Sequence, residues 1–176
     1  MNNVVVIGSH RAGTSMVMQS LYISGYPVLG EKFPVNMRKE INPDGFYEIG
    51  ILQIDDILPM INGVALKHFP KYMRSDYHEI TKKVFAWSTK IILIKRDLSE
   101  ICRSQVDNDI YGSADRCMNS LLKEHSRFSE IKNCLTINYE DVLTNPIDQL
   151  TAMFRFVDFT PRQADFDLVV SNIRRA

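Results

Sequence analysis

The stretch of sequence that decides the fold is Val4-Val5-Val6-Ile7-Gly8-Ser9-His10-Arg11-Ala12-Gly13-Thr14-Ser15. It opens with a run of β-branched residues, which favours a short buried strand. Apolar residues at helical spacing follow over 15–24, and Gly25 then ends the predicted helix. Between strand and helix, the two glycines have the spacing of a P-loop, in which backbone N–H groups and a helix N-terminus surround a phosphate. We therefore predict a phosphate-binding turn over residues 8–15.

The side chains of this turn distinguish it from the P-loop of a kinase. A kinase has a lysine directly after the second glycine, and that lysine reaches the β- and γ-phosphates. Here that position is Thr14, and the cation of the turn, Arg11, stands earlier. We expect Arg11 to neutralise a phosphate oxygen. The other expected donors are backbone N–H groups and hydroxyls at Ala12, Gly13, Thr14 and Ser15. An ordinary strand-to-helix turn, with glycines that serve only close packing, is the competing interpretation.

The rest of the chain alternates strand patterns with helical ones. Runs of apolar and β-branched residues predict strands at 26–29, 64–67, 90–94 and 135–139. Helical periodicity covers 113–131 and 146–157, and a polar tail is expected after Thr160-Pro161. Such alternation favours an α/β fold. We predict one three-layer domain over 1–176, with a central, mostly parallel β-sheet flanked by helices, as in P-loop NTPases.

Composition limits the classes of function. Lys plus Arg and Asp plus Glu both total 21, so no overall field attracts nucleic acid or an acidic membrane, and any anion site must be local. The three cysteines lack the spacing of a zinc site and are odd in number, which favours a reducing compartment over a disulfide framework. The N-terminus has no signal-peptide pattern and no membrane span. We therefore expect a cytoplasmic protein without a bound metal.

The turn resembles that of a known family once a second motif is considered. Gly-x-x-Arg-x-Gly-Thr-Ser after a first strand is similar to the 5′-phosphosulfate loop of sulfotransferases, particularly the small bacterial ones. The run 91–96, which ends in Arg96 and is followed eight positions later by Ser104, resembles the 3′-phosphate motif of the same family. The resemblance implies that Arg96 and Ser104 hold a 3′-phosphate. Taken alone, they would be a solvated cation at a strand end and a surface serine.

Two further segments match the family in order. Residues 42–48 read Asn-Pro-Asp-Gly-Phe-Tyr-Glu, and residues 138–143 read Asn-Tyr-Glu-Asp-Val-Leu before Pro146; both are similar to segments of bacterial sulfotransferases. The matches extend from Val4 to about Val157. Aromatic residues nearby fit either an acceptor cleft or a packed core, namely Phe46, Tyr47, Phe69 and Tyr72.

Candidates for the chemistry lie at 66–70, Leu-Lys-His-Phe-Pro, which is similar to the family segment Lys-x-His-x-Pro with one residue missing. The resemblance implies that His68 accepts the proton of the acceptor hydroxyl and that Lys67 stabilises charge on the departing phosphate oxygen. Neighbouring residues of a strand face opposite sides of a sheet, however, so a strand through both would keep them out of one cleft. Glu48 is the alternative base.

The resemblance as a whole implies a sulfotransferase that takes its sulfuryl group from 3′-phosphoadenosine-5′-phosphosulfate. The acceptor would be a hydroxyl or amine of a small molecule, glycan or peptide, and the product adenosine 3′,5′-bisphosphate. Arg11, Lys67 and the amides of the turn would absorb the charge that develops on that product.

Two other functions stay open at the level of sequence. One is a P-loop nucleotide or nucleoside kinase, and the other is a catalytically silent nucleotide-binding or assembly protein. The silent protein is favoured by the short stretch between Ser104 and Leu135, where many sulfotransferases carry a larger insertion. A homo-oligomer would complete such a cleft. Arg174 and Arg175 either form a solvated tail or fold back toward the 3′-phosphate.

Overall fold

Four parallel strands form the central sheet of the computed structural model, which describes residues 1–32, 45–49, 54, 56–69, 75–108 and 110–173. For 75–78 it describes the backbone alone. The predictions that concern 42–44, Pro70, Tyr72, Arg174 and Arg175 lie outside these residues. The strands are β1 (Val4–Ile7), β2 (Ala65–His68), β3 (Lys90–Lys95) and β4 (Cys134–Asn138), in the order β2-β1-β3-β4.

Helices connect the strands and cover both faces of the sheet. They are α1 (Thr14–Ile23), α2 (Ser75–Trp87), α3 (Leu98–Asp107), α4 (Ala114–Phe128), α5 (Tyr139–Thr144), α6 (Pro146–Phe156) and α7 (Gln163–Ile173), with a short 3₁₀ helix at Leu58–Met60. The start of α3 is fixed by Asp97, whose carboxylate accepts from two backbone N–H groups of its first turn. Ser113 caps α4 in the same way, and Pro146 begins α6 where its missing N–H costs nothing.

Alternate residues of β1 enter two separate cores. Val4 and Val6 pack in one cluster with α1, α6 and α7, while Val5 and Ile7 pack in another that includes Val84 of α2. This period of two is what a strand buried on both faces requires. The predicted α/β fold, with a parallel sheet between two layers of helices, is therefore confirmed.

Two predictions of local structure were wrong. At 26–29 there is an isolated bridge from Val28 to Ala65 in place of a strand, because Pro27 has no N–H to continue a ladder. The expected polar tail is in fact α7, which packs against α1 through the buried Val169 and Ile173. None of the described helices is both long enough and apolar enough to cross a membrane.

Candidate functional site

The predicted phosphate-binding turn lies at the carboxyl edge of the sheet, between β1 and α1. Because β1 has β2 on one side and β3 on the other, the chain leaves it at the point where strand order reverses. Open α/β sheets bind their ligands at such points. In the register of the sheet, His68 and Leu93 lie beside Ile7, so the ends of all three strands meet at the turn.

Both glycines of the turn are required by close neighbours. Gly13 begins α1 with φ 100°, and a Cβ there would overlap the ring of Tyr139. A Cβ at Gly8 would lie 2.9 Å from the carbonyl oxygen of Ile94. The backbone N–H of Ala12 donates to the carbonyl oxygen of Ser9 at 3.0 Å, and this hydrogen bond closes the turn. The turn is followed directly by the first N–H groups of α1, which have no acceptor within the helix.

Two buried polar side chains from other helices hold the underside of the turn. The Ser9 hydroxyl donates to Oε2 of Glu124 in α4 at 2.6 Å, and Nε2 of Gln105 in α3 donates to the carbonyl oxygen of His10 at 2.6 Å. Both Gln105 and Glu124 are buried. Glu124 lies at a position of α4 whose neighbours along the helix face, Leu121 and Phe128, are apolar and buried, but a single glutamate there does not reveal the turn that it supports.

The 3′-phosphate residues inferred from the family lie together, and Arg11 joins them. Nε of Arg11 donates to Oγ of Ser104 at 2.9 Å, and a terminal nitrogen of Arg96 donates to the carbonyl oxygen of Arg11 at 3.0 Å. The Arg96 guanidinium also lies over the ring of Tyr139 at 4.6 Å and 3.8 Å from a carboxylate oxygen of Glu100. Burial, followed by the positive charge of Arg96, lowers the pKa of Arg11.

Lys67 reaches the other side of the turn. Its Nζ donates to Oγ of Ser15 at 3.2 Å, to Oε1 of Glu48 at 3.1 Å and to the carbonyl oxygen of Phe46. Burial lowers the pKa of Lys67 to about 8, although the Glu48 carboxylate raises it and Arg11 lowers it slightly further. The structure therefore brings Lys67, Glu48 and Ser15 together at the start of α1.

His68 faces away from the turn. Its ring lies on the opposite side of the sheet, with Nε2 2.9 Å from the Thr81 hydroxyl of α2 and its edge toward Phe85. Burial lowers the pKa of His68 to about 4, so the ring is neutral near neutral pH. On the loop side, the ring of His10 stacks on Phe69 at a centroid distance of 4.0 Å. In the described residues, no group of three or more His, Cys, Asp or Glu residues is arranged to hold a metal ion.

No protein-family model and no curated protein matches this sequence. The fold, however, is similar to those of solved sulfotransferases. Mouse sulfotransferase SULT7A1 complexed with PAP matches with a TM-score of 0.65 at 11% identity, over 98% of this chain and 63% of that one. Retinol dehydratase in complex with androsterone and inactive cofactor PAP gives a TM-score of 0.56 at 12% identity, over 98% and 64%.

A third match is sulfotransferase STF1 from Mycobacterium tuberculosis H37Rv, with a TM-score of 0.53 at 10% identity, over 97% of this chain and 70% of that one. This chain thus spans less than two thirds of the length of the mouse enzyme and of retinol dehydratase. At such identities the likeness extends to the fold: the chain has the α/β architecture of PAP-bound sulfotransferases.

Proposed function

We propose that this protein is a sulfotransferase that moves a sulfuryl group from 3′-phosphoadenosine-5′-phosphosulfate to a hydroxyl or amine, and releases adenosine 3′,5′-bisphosphate (PAP). The observation that carries the proposal is the pairing of two cationic sets at one sheet edge. The first set is the ammonium group of Lys67, which extends from β2 to the start of α1. The second set is Arg11, Arg96 and Ser104, on the other side of the turn. A nucleotide with phosphate on both the 5′ and the 3′ oxygen needs two such sets.

The turn and Lys67 would bind the 5′-phosphosulfate. The first backbone N–H groups of α1 and the Thr14 hydroxyl would donate to its oxygens, as would the Ser15 hydroxyl on leaving the Phe46 carbonyl oxygen that it contacts at 3.4 Å. As the bond from sulfur to the bridging phosphate oxygen breaks, negative charge grows on that oxygen. A lysine whose pKa is about 8 is mostly protonated at neutral pH, and a bound dianion favours its charged form further.

The base that the geometry supports best is Glu48. Its carboxylate is 3.1 Å from Nζ of Lys67, with about a fifth of the side chain (21%) exposed, whereas His68 lies across the sheet. As the acceptor oxygen bonds to sulfur, its proton would pass to the Glu48 carboxylate. His68 stays the alternative that the family resemblance predicts.

The proposal is tested by comparing nucleotides in calorimetric titrations. A sulfotransferase binds PAP more tightly than ATP with magnesium, and it consumes the phosphosulfate donor when a suitable acceptor is supplied. Tighter binding of magnesium ATP would favour a kinase and contradict the proposal. Tight binding of PAP without donor turnover across a broad panel of hydroxyl and amine acceptors would favour a silent nucleotide-binding protein.

A further inference from the structure

We infer that Arg11 recognises the 3′-phosphate of the nucleotide, although it belongs to the loop that would bind the 5′ group. Together with Arg96 and Ser104 it forms a receptor for a phosphate monoester, and so decides whether a 3′-phosphorylated nucleotide is preferred. This inference rests on the proposed function, because it says which end of the same nucleotide each cation binds. From the sequence we had expected Arg11 to bind the 5′-phosphosulfate.

The direction of the Arg11 side chain is the first argument. It extends from the turn toward α3, where its Nε lies 2.9 Å from Oγ of Ser104. The start of α1 is served by a different cation, since Lys67 donates to Ser15 there at 3.2 Å. Arg11 is also near enough to Lys67 to lower its pKa, so the two cations are neighbours, and the hydrogen bond to Ser104 is what assigns the Arg11 guanidinium to the 3′ side.

The charge of the cluster is the second argument. Arg96 is near enough to Arg11 to lower its pKa, and two positive groups at such a distance repel each other. Glu100 lies 3.8 Å from Arg96, but in the described part of the chain no carboxylate forms an ion pair with Arg11. A phosphate monoester carries a charge of about −1.5 to −2 at neutral pH, whereas the phosphate of a phosphosulfate carries about −1. Two guanidinium groups match the monoester better.

The unused donors are the third argument. Arg11 contacts Ser104 through Nε, and among the residues that the structure describes its two terminal nitrogens have no hydrogen-bond acceptor, which leaves them for a ligand in the paired geometry that suits phosphate. Arg96 holds the Arg11 carbonyl with one terminal nitrogen, and its buried Nε has no hydrogen-bond partner in the described residues. The ring of Tyr139 lies against the Arg96 guanidinium and fixes its plane. Within the described ranges, the cluster is thus held by several contacts and still has N–H groups without an acceptor.

The experiment measures the affinity of each variant for PAP and for AMP, which differ only in the 3′-phosphate. We expect Arg11→Ala to lower PAP affinity about 10- to 100-fold and to change AMP affinity less than about threefold, since charge-assisted hydrogen bonds to one phosphate are lost. Ser104→Ala should reduce the same PAP-to-AMP preference by a smaller factor. Thr14→Val is the matched control within the turn, and it should weaken both nucleotides alike.

The outcomes separate the inference from the function. If the wild-type protein does not prefer PAP to AMP, the proposed function fails. If the wild type prefers PAP and Arg11→Ala weakens both nucleotides equally, or neither, the inference about Arg11 is wrong while the function stands. Arg11→Gln keeps a polar side chain out to about the position of Nε but removes the charged guanidinium, and it carries the same test if circular dichroism shows that the alanine variant does not fold. An unchanged preference in that variant would equally overturn the inference.

Discussion

Lys67 and His68 are adjacent in β2, but their side chains lie on opposite faces of the sheet. Lys67 contacts Ser15 and Glu48 beside the turn, while His68 contacts Thr81 of α2. The alternation itself follows from the sequence, because any strand that includes both residues must separate them. Which of the two faces the turn depends on the pairing of β2 with β1, a long-range contact that no local pattern encodes.

Substitution of the two candidate bases gives the first prediction. Glu48→Gln should reduce kcat by about 10²- to 10⁴-fold, because no carboxylate then takes the proton of the acceptor hydroxyl or amine. The affinity for PAP should change much less. His68→Gln, which can keep a hydrogen bond to Thr81, should cause the smaller loss. Single-turnover rates at saturating donor measure both. A larger loss in the His68 variant would identify the histidine as the base.

The pKa of Lys67 gives the second prediction, which concerns pH. Binding of PAP by the protonated lysine should weaken above pH 8, by up to about tenfold per pH unit, as Lys67 deprotonates in the free protein. Calorimetry of Lys67→Met across the same range should give weaker binding with a flatter pH profile. A steep profile in that variant would assign the pH dependence to another group.

Over the same pH range the free energy of unfolding should rise, while the affinity for PAP falls. The folded pKa of Lys67 is about 8 and its ordinary value is 10.5, so between these the unfolded chain binds more protons than the folded one. The free energy of unfolding therefore gains a contribution that rises with pH from about 8 to 10.5. Because the Lys67 contribution stabilises the fold as pH rises, a loss of PAP affinity above pH 8 is not explained by Lys67 destabilising the fold.

At the scale of elements, the turn depends on helices that are distant in sequence. Gln105 of α3 bonds the His10 carbonyl from below, and its Oε1 lies 3.3 Å from Sγ of Cys117 in α4. Glu124, also in α4, binds Ser9. The shape of the predicted phosphate-binding turn is thus set by α3 and α4 as well as by its own glycines.

Gln105→Leu tests this support and is the third prediction. It leaves the buried carbonyl of His10 without its donor, which should lower the free energy of unfolding by about 1–3 kcal/mol and weaken PAP binding. Gln163→Leu makes the same change at an exposed position of α7, and there we expect less than about 0.5 kcal/mol. Chemical denaturation and calorimetry of both variants provide the comparison. Equal PAP affinity in the two would mean that Gln105 does not shape the turn.

The elements differ in how well sequence could predict them. β1 and β3 were located within a residue because continuous β-branched runs are buried on both faces. Helix α7 was missed because its charged residues are typical of a solvated tail. Its apolar residues Val169, Val170 and Ile173 are buried through packing that includes α1, a contact that the local sequence does not predict. The same limit applies to Gln105 and Glu124: a polar residue on a helix looks exposed until the turn that it supports is in place.

At the scale of the whole molecule, the chain shares the fold of SULT7A1 and of retinol dehydratase but spans less than two thirds of the length of each. Under the proposed function, a second copy of the chain would complete the acceptor cleft, as expected from the sequence. The net charge of zero supplies no long-range attraction, so nucleotide affinity has to come from the local cations.

The fourth prediction concerns the melting temperature, which rises when a ligand such as PAP binds only the folded state. PAP at 100 times its dissociation constant should stabilise the protein by about 2.7 kcal/mol, which for a chain of this size corresponds to a rise in Tm of about 5–11 °C. AMP at the same concentration should raise Tm by less, because it lacks the group that the Arg11 cluster would bind. Differential scanning fluorimetry measures both shifts. A larger shift with AMP would contradict the assignment of two phosphate sites.

The ring of Tyr139 touches both halves of the site, since it fills the space beside Gly13 and also lies on the guanidinium of Arg96. An engineer who wished to change donor selectivity would therefore gain little from mutating this tyrosine, because loop shape and 3′ recognition would change together. Arg11 and Ser104 contact each other at 2.9 Å in the proposed 3′ cluster. If the proposed function holds, they are the positions at which a library would change the preference for a 3′-phosphate while the proposed 5′ site is left as it is.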